Sequence, residues 1–206
     1  MSPSSGRSRL LATAAAAAWL AAAGTGMAVV VRHASSPGAS PEAPAAWPAE
    51  SAIRRPEGRF TLVMVLHPRC PCAPASLGEL ARLMANGAGR LHAVILFITP
   101  EGASGEWTET RAHRIASSIR GADIRRDVGG VEAALFHAET SGHAALYDTA
   151  GRLVFSGGVT PARAHMGDSP GRLAILAALR GGARAEPGAP VFGCPLRAPG
   201  VNPCRK

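Results

Sequence analysis

Two cysteines separated by one residue, Cys70-Pro71-Cys72, are the most reactive feature of this sequence. A thiolate attacks disulfides, so a close pair of cysteines suits thiol–disulfide exchange. The pair follows a continuous apolar run, Phe60 to Leu66, and precedes a stretch with helical periodicity that opens at Pro74. That places it where a strand ends and a helix begins. The first turn of a helix presents unpaired N–H groups and partial positive charge, and both stabilise a thiolate. His67 and Arg69 stand close by and would act in the same direction. Cys70 is expected to attack, as the first cysteine at the strand end, and Cys72 to resolve. The reverse assignment stays open, because Cys72 is nearer the helix amides. A disulfide within Cys-x-Cys closes a small, strained ring, and strain makes the bond easier to reduce. The expected poise is therefore oxidising or isomerising, or the disulfide is held only transiently.

The same thiols suit a soft metal. Thiolates with an imidazole favour copper(I) or zinc. His67, His143 and His165 are the candidate third ligands, and Cys70, Cys72, His143 and His165 form the alternative metal set. No single spacing selects these histidines, so no cofactor is expected, with copper as the alternative. Cys194 and Cys204 complete the cysteine count. They either close a structural disulfide within the tail, stay free, or let Cys194 fold back and relay disulfides to the Cys70–Cys72 pair.

The elements that must position these residues read as an alternating α/β chain. Strands are expected at Phe60–Leu66, Leu91–Ile98 and Ala122–Arg126, and helices at Pro74–Met84, Trp107–Ile119 and Val131–Ala138. Ala144–Asp148 and Arg152–Ser156 flank Thr149-Ala150-Gly151, a hairpin signal. Ser169 caps a last helix with Pro170 at its first position and Gly181-Gly182 at its end. Buried parallel strands first, then a hairpin and a closing helix, is the thioredoxin order. The expected fold class is α/β, a thioredoxin-like three-layer α/β/α sandwich with an N-terminal membrane-anchor helix.

Arg7 and Arg9 precede an uncharged run from Leu10 to Val31. At helical rise this run spans roughly 30 Å of hydrocarbon. A cleaved signal peptide, with Ala21-Ala22-Ala23 as the cleavage region, is the rival reading. The expected organisation is a signal-anchor or signal peptide over 1–33, a Pro/Ala-rich linker over 34–56, the domain over 57–183 and a cysteine-containing tail over 184–206. Export places the domain on the periplasmic side of a bacterial inner membrane, or free in the periplasm after cleavage. Its partners are then the thiols or disulfides of exported proteins.

The formal net charge of +8 invites a nucleic-acid reading. The arginines are scattered, no basic stripe alternates with aromatics, and there is one Tyr, so no nucleic acid is expected. A thiol peroxidase would carry Thr or Ser shortly before its attacking cysteine, where this chain has His67, Pro68 and Arg69. Nothing resembles a phosphate loop, a Ser-His-Asp triad or a paired-carboxylate site.

The stretch His67-Pro68-Arg69-Cys70-Pro71-Cys72-Ala73-Pro74-Ala75-Ser76-Leu77-Gly78-Glu79-Leu80 resembles the active-site segment of RedB-type thioredoxin-like proteins. The blocks Ser141 to Asp148 and Gly151 to Thr160 resemble the same group, and the likeness runs over most of 58–182. The resemblance implies a thioredoxin fold and redox activity, and names no substrate. It points to a membrane-tethered thiol–disulfide oxidoreductase, with a copper-handling or assembly protein as the alternative. Two departures from ordinary thioredoxins matter. Arg69-Cys70-Pro71-Cys72 replaces the usual Trp-Cys-x-x-Cys, and Gly142-His143 stands where a cis-proline usually precedes the third core strand. His143 there would admit a metal or act on a thiol proton. In this group a glycine often stands where Ala164 is, before His165.

Overall fold

The computed structural model describes residues 4–87, 89–107, 109–181 and 188–196. They fall into two compact units, divided between Ser36 and Pro37. The first is a single helix, α1 (Ser4–Ser35). Its Ala-rich sequence has the highest helix propensity available. The stretch Gly6–Ser35 is long and apolar enough to cross a membrane, with a mean hydropathy of 1.8, and it contains the expected Leu10–Val31 span. A signal sequence has the same character.

In the second unit the apolar run forms β1 (Phe60–Leu66), almost wholly buried, at the middle of a six-stranded sheet. The other strands are β2 (Leu91–Thr99), β3 (Ala122–Val128), β4 (His143–Tyr147), β5 (Leu153–Gly157) and β6 (Gly188–Ala189), in the order β3-β2-β1-β4-β5-β6. β1, β2 and β3 run parallel, while β4 is antiparallel to both β1 and β5. Alternation along the strands divides the core. Leu62, Met64 and Leu66 face one layer, where they meet Leu77, Leu80 and Leu83 of α2 (Ala73–Asn86), Ala112 and Ala116 of α3 (Arg111–Ser117), and Ile175 and Leu179 of α5 (Pro170–Leu179). Val63 and Val65 face the other layer, with Ala133 of α4 (Val131–Leu135) and Phe136. The result is the expected thioredoxin-like α/β/α sandwich.

Three local differences from the sequence reading have physical causes. The helix expected over Trp107–Ile119 divides into a single 3₁₀ turn, Gly105–Trp107, and α3. Thr110 takes the N-cap, its hydroxyl accepting from His113 N–H, and so starts the helix late. The segment 34–56, expected as a linker, is packed into the domain from Gly38 onward. Ala43 and Ile53 are buried, Trp47 packs edge-on against Phe136 and Tyr147, and Leu153 N–H donates to Ala45 O at 2.8 Å. Glu132 fixes the far end of this segment, accepting from Ser51 Oγ and Ala52 N at 2.7 Å each. The third difference is β6, which pairs in parallel with β5 and begins a return of the tail to the domain. Two residues, one of them glycine, give no strand signal.

A buried carboxylate joins the first layer to the loop before α5. The Glu79 side chain is fully buried, and it accepts from Arg82 Nη1 at 3.0 Å and from Gly167 N at 2.8 Å. Arg172 Nε lies 3.2 Å from its other oxygen. A buried charge so tied strongly resists loss of any partner.

The closing helix lies so near β5 that a side chain at Gly171 has no room. A Cβ there would stand 1.9 Å from Gly158 O and 2.9 Å from the Phe155 ring. Gly171→Ala is therefore expected to destabilise the domain by about 1–3 kcal/mol, as overpacked sites do, measured by urea unfolding. An unchanged unfolding midpoint would refute the tight contact.

Candidate thiol site

The backbone that leaves β1 makes one tight turn before α2. Cys70 N–H donates to His67 O at 3.0 Å, and Ala73 N–H to Cys70 O at 3.1 Å. Cys72 is the N-cap of α2, with Pro74 in the first turn. Its sulfur makes no capping bond to the helix. Both cysteines are buried, Cys70 at 4% exposure and Cys72 at 6%, and both belong to the core cluster on the α2 face of the sheet.

Ser141, just before β4, is the hub beside Cys70. Its hydroxyl accepts from His67 N–H at 3.0 Å and bonds to the Cys70 sulfur. Its own N–H donates to Cys194 O at 2.8 Å. The tail thus returns across the site, and Cys194 packs against the cluster that holds Cys70 and Cys72. Cys204 lies outside the described residues, as does any Cys194–Cys204 pairing.

These contacts separate the thiols. Burial pushes the Cys70 thiol up. Hydrogen bonds from the Cys194 thiol, the Cys194 N–H, the Cys72 N–H and the Ser141 hydroxyl outweigh it, and the thiol ends below its ordinary value. Cys72 moves the other way: burial, then the negative charge and hydrogen bonding of Cys70, raise it, against the Ala164 N–H and the Arg163 charge. Cys194 is raised by burial and by Cys70. Of the three thiols only Cys70 is drawn down, and it receives the most donors. Cys70 is then the nucleophile of the group.

His67 and Arg69 occupy the rim. His67 Nδ1 accepts from Arg69 N–H at 3.2 Å, and burial followed by the Arg69 charge lowers its pKa. Arg69 lies over the Trp107 ring, 4.3 Å from its centroid, and His67 meets the same ring edge-on at 5.8 Å. The groups that draw the Cys70 thiol down are Cys194, Cys72 and Ser141, not Arg69 or His67.

The other two histidines stand apart. His143 is on the β4 face shared by Ala145 and Tyr147, opposite the cysteine face, and its Nε2 lies 2.9 Å from Ser156 Oγ. His165 Nδ1 lies 2.6 Å from Arg163 O in its own exposed loop. Among the described residues, no three His, Cys, Asp or Glu side chains are grouped to hold a metal ion. There is no cis peptide bond among them either; Gly142, at φ 97°, makes the turn into β4. A Cβ at Gly142 would lie 2.9 Å from Ser76 Oγ.

Sequence reasoning missed Ser141, Trp107 and Arg163. Ser141 carried no signal beyond its place before a strand. Arg163 donates to Gly193 O and acts electrostatically on Cys72 and Cys194, yet nothing in its local sequence marks it. Ala164 did carry a sign. It adopts φ 57°, the left-handed region that a glycine accepts without strain, and its N–H meets the Cys72 sulfur.

No family model and no curated protein matches the chain. Among solved structures it is similar to a hypothetical protein from Sinorhizobium meliloti, with 24% identity and a TM-score of 0.56 over 68% of this chain and 80% of that one. It is also similar to an uncharacterized conserved protein from Geobacillus kaustophilus, with 18% identity and a TM-score of 0.58 over 80% of this chain and 93% of that one. At these identities the likeness is one of fold. Thioredoxin-like proteins stand among looser neighbours, including a secreted disulfide oxidoreductase of Mycobacterium tuberculosis at a TM-score of 0.38 and 16% identity, over 47% of this chain and 67% of that one.

His143 gives a pH signature. Burial, then the His137 charge, lowers its pKa from 6.5 to about 4. The unfolded chain binds a proton near 6.5 that the folded chain binds only near 4. Folding stability contributed by this ring is therefore complete above 6.5 and is lost as pH falls toward 4. The loss amounts to about 3 kcal/mol. Compared with the wild type, His143→Gln is expected to flatten the stability–pH curve by one proton across that window, read by urea unfolding. Parallel curves would show the ring to be accessible to protons.

Proposed function

We propose that this chain is a thiol–disulfide oxidoreductase of the RedB-type thioredoxin-like group, held at the bacterial inner membrane by α1 with its domain facing the periplasm. It exchanges disulfides with exported proteins through Cys70, and Cys72 is the partner thiol within the motif. One observation carries this reading: at the end of the central strand Cys70 packs in one cluster with Cys72 and Cys194, and hydrogen bonding from Cys194, Cys72 and Ser141 draws its thiol down against burial. Such an arrangement serves a thiolate, whereas two structural cysteines in a turn need none of it. Burial and the neighbouring Cys70 raise the Cys72 thiol, so the two thiols of the motif are shifted in opposite directions. Support for the membrane location is α1, with Arg7 and Arg9 before its apolar stretch.

Copper handling draws on the same thiols. It has less support, because His143 and His165 both bond elsewhere. Equilibration of the full chain with glutathione buffers, followed by alkylation and peptide mapping, separates the two readings. The expected result is that Cys70 passes between thiol and disulfide at one defined, oxidising potential. Cys70→Ser is expected to reduce the rate of disulfide exchange to background. Cys70 remaining a thiol across the whole range, with copper retained after anaerobic purification, would overturn the exchange reading.

A further inference from the structure

The tail carries a third thiol into the site on a strap of defined course. Val191 and Leu196 are buried at its ends. Gly38 N–H donates to Val191 O, and Leu196 N–H to Glu139 O, each at 2.8 Å. Between them Pro195 bridges antiparallel to Thr140, Cys194 O accepts from Ser141 N–H, and Gly193 O accepts from Arg163. Gly193 presses on the Ser141 carbonyl so closely that a Cβ would stand 1.8 Å from that oxygen. Backbone bonds therefore set the position of Cys194 independently of its sulfur, and they set it with both its thiol and its N–H against Cys70. Cys194 is also the most exposed of the three described cysteines.

We propose that Cys194 is a resolving thiol for Cys70, closing a Cys70–Cys194 disulfide that frees the bound partner. The inference rests on the exchange reading above and assigns it a third residue. Cys70 thiolate attacks a partner disulfide, forming a mixed disulfide and releasing the partner's first thiolate. Cys194 thiolate then attacks the Cys70 sulfur. The Cys70–partner bond breaks, the Cys70–Cys194 bond forms, and the second partner thiolate leaves with the proton that Cys194 gave up. The partner disulfide gains two electrons, and Cys70 and Cys194 lose two.

The timing follows from the surroundings of Cys194. While Cys70 is a thiolate, its charge adds to burial in raising the Cys194 thiol. Once Cys70 is bonded to a partner that charge is gone, so one of the causes that raise the Cys194 thiol is removed, while burial still raises it and Arg163 lowers it. Only Pro71 separates Cys72 from Cys70, so a disulfide between them closes a small ring. Cys194 meets no such constraint.

Full-length Cys72→Ser protein treated with oxidised glutathione tests the role. Serine is a preferred N-cap, so α2 retains its start. Non-reducing peptide mapping is expected to find Cys70 joined to Cys194, with glutathione on Cys70 only as an early species. A lasting Cys70–glutathione adduct beside a free Cys194, or Cys194 joined only to Cys204, would overturn the proposal and leave the exchange reading intact. If Cys70 of the wild type takes up no glutathione at all, the exchange reading itself falls. Adding Gly193→Ala, which displaces the strap from Ser141, is expected to slow Cys70–Cys194 closure by roughly 10- to 100-fold. Closure at an unaltered rate would mean that the strap does not position the thiol.

Discussion

A negatively charged sulfur in a buried setting exists only if hydrogen-bond donors replace the water it has lost. At Cys70 that requirement is met from four directions, and the layout of the domain follows from meeting it. β1 delivers the sulfur to the edge of the core. The turn into α2 aims the Cys72 N–H at it. The loop before β4 brings the Ser141 hydroxyl, and the returning tail brings the thiol and N–H of Cys194. Apart from the Cys72 N–H in the same turn, these donors come from distant segments, so much of the thiol's acidity is a property of the assembled sheet.

The same logic accounts for the segments outside the sandwich. Residues 38–53 cover the second face of the sheet and, through Gly38, bond to the strap at Val191. β6 lines the tail up along β5 before it crosses to Ser141. Glu79 fastens the loop that carries Arg163 and Ala164 to α2 and α5. Arg163 reaches the strap, and Ala164 accepts backbone strain to place its N–H on Cys72. Packing, strain and charge all converge on three sulfurs.

Much of this was legible in the sequence. The buried run Phe60–Leu66, the hairpin around Gly151 and the Ser169-Pro170 start of α5 each announce themselves by local chemistry, and their order gives the fold. The cysteine pair was found because a strand end followed by a helix start is a local pattern. What sequence could not show is contact between distant segments. His143 was read beside the thiols, at the usual proline place, but the pleat turns its side chain to the far face, where it meets Ser156. The linker reading of 34–56 failed because Pro and Ala composition marks extended chain without saying whether it is packed. The tail was read as a choice among alternatives for Cys194, and only tertiary hydrogen bonds place it beside Cys70.

Cys70 alone among the described cysteines is drawn below the ordinary thiol value. Titrating the thiolate ultraviolet absorbance of the reduced full chain against pH, with the Cys70→Ser variant subtracted, reads this directly. Cys70 is expected to ionise below the ordinary thiol value of about 8.5, with Cys72 and Cys194 ionising above it. Ionisation of Cys70 at or above that value would mean that the donors gathered around its sulfur do not stabilise a charge, and that Cys70 is not the activated thiol.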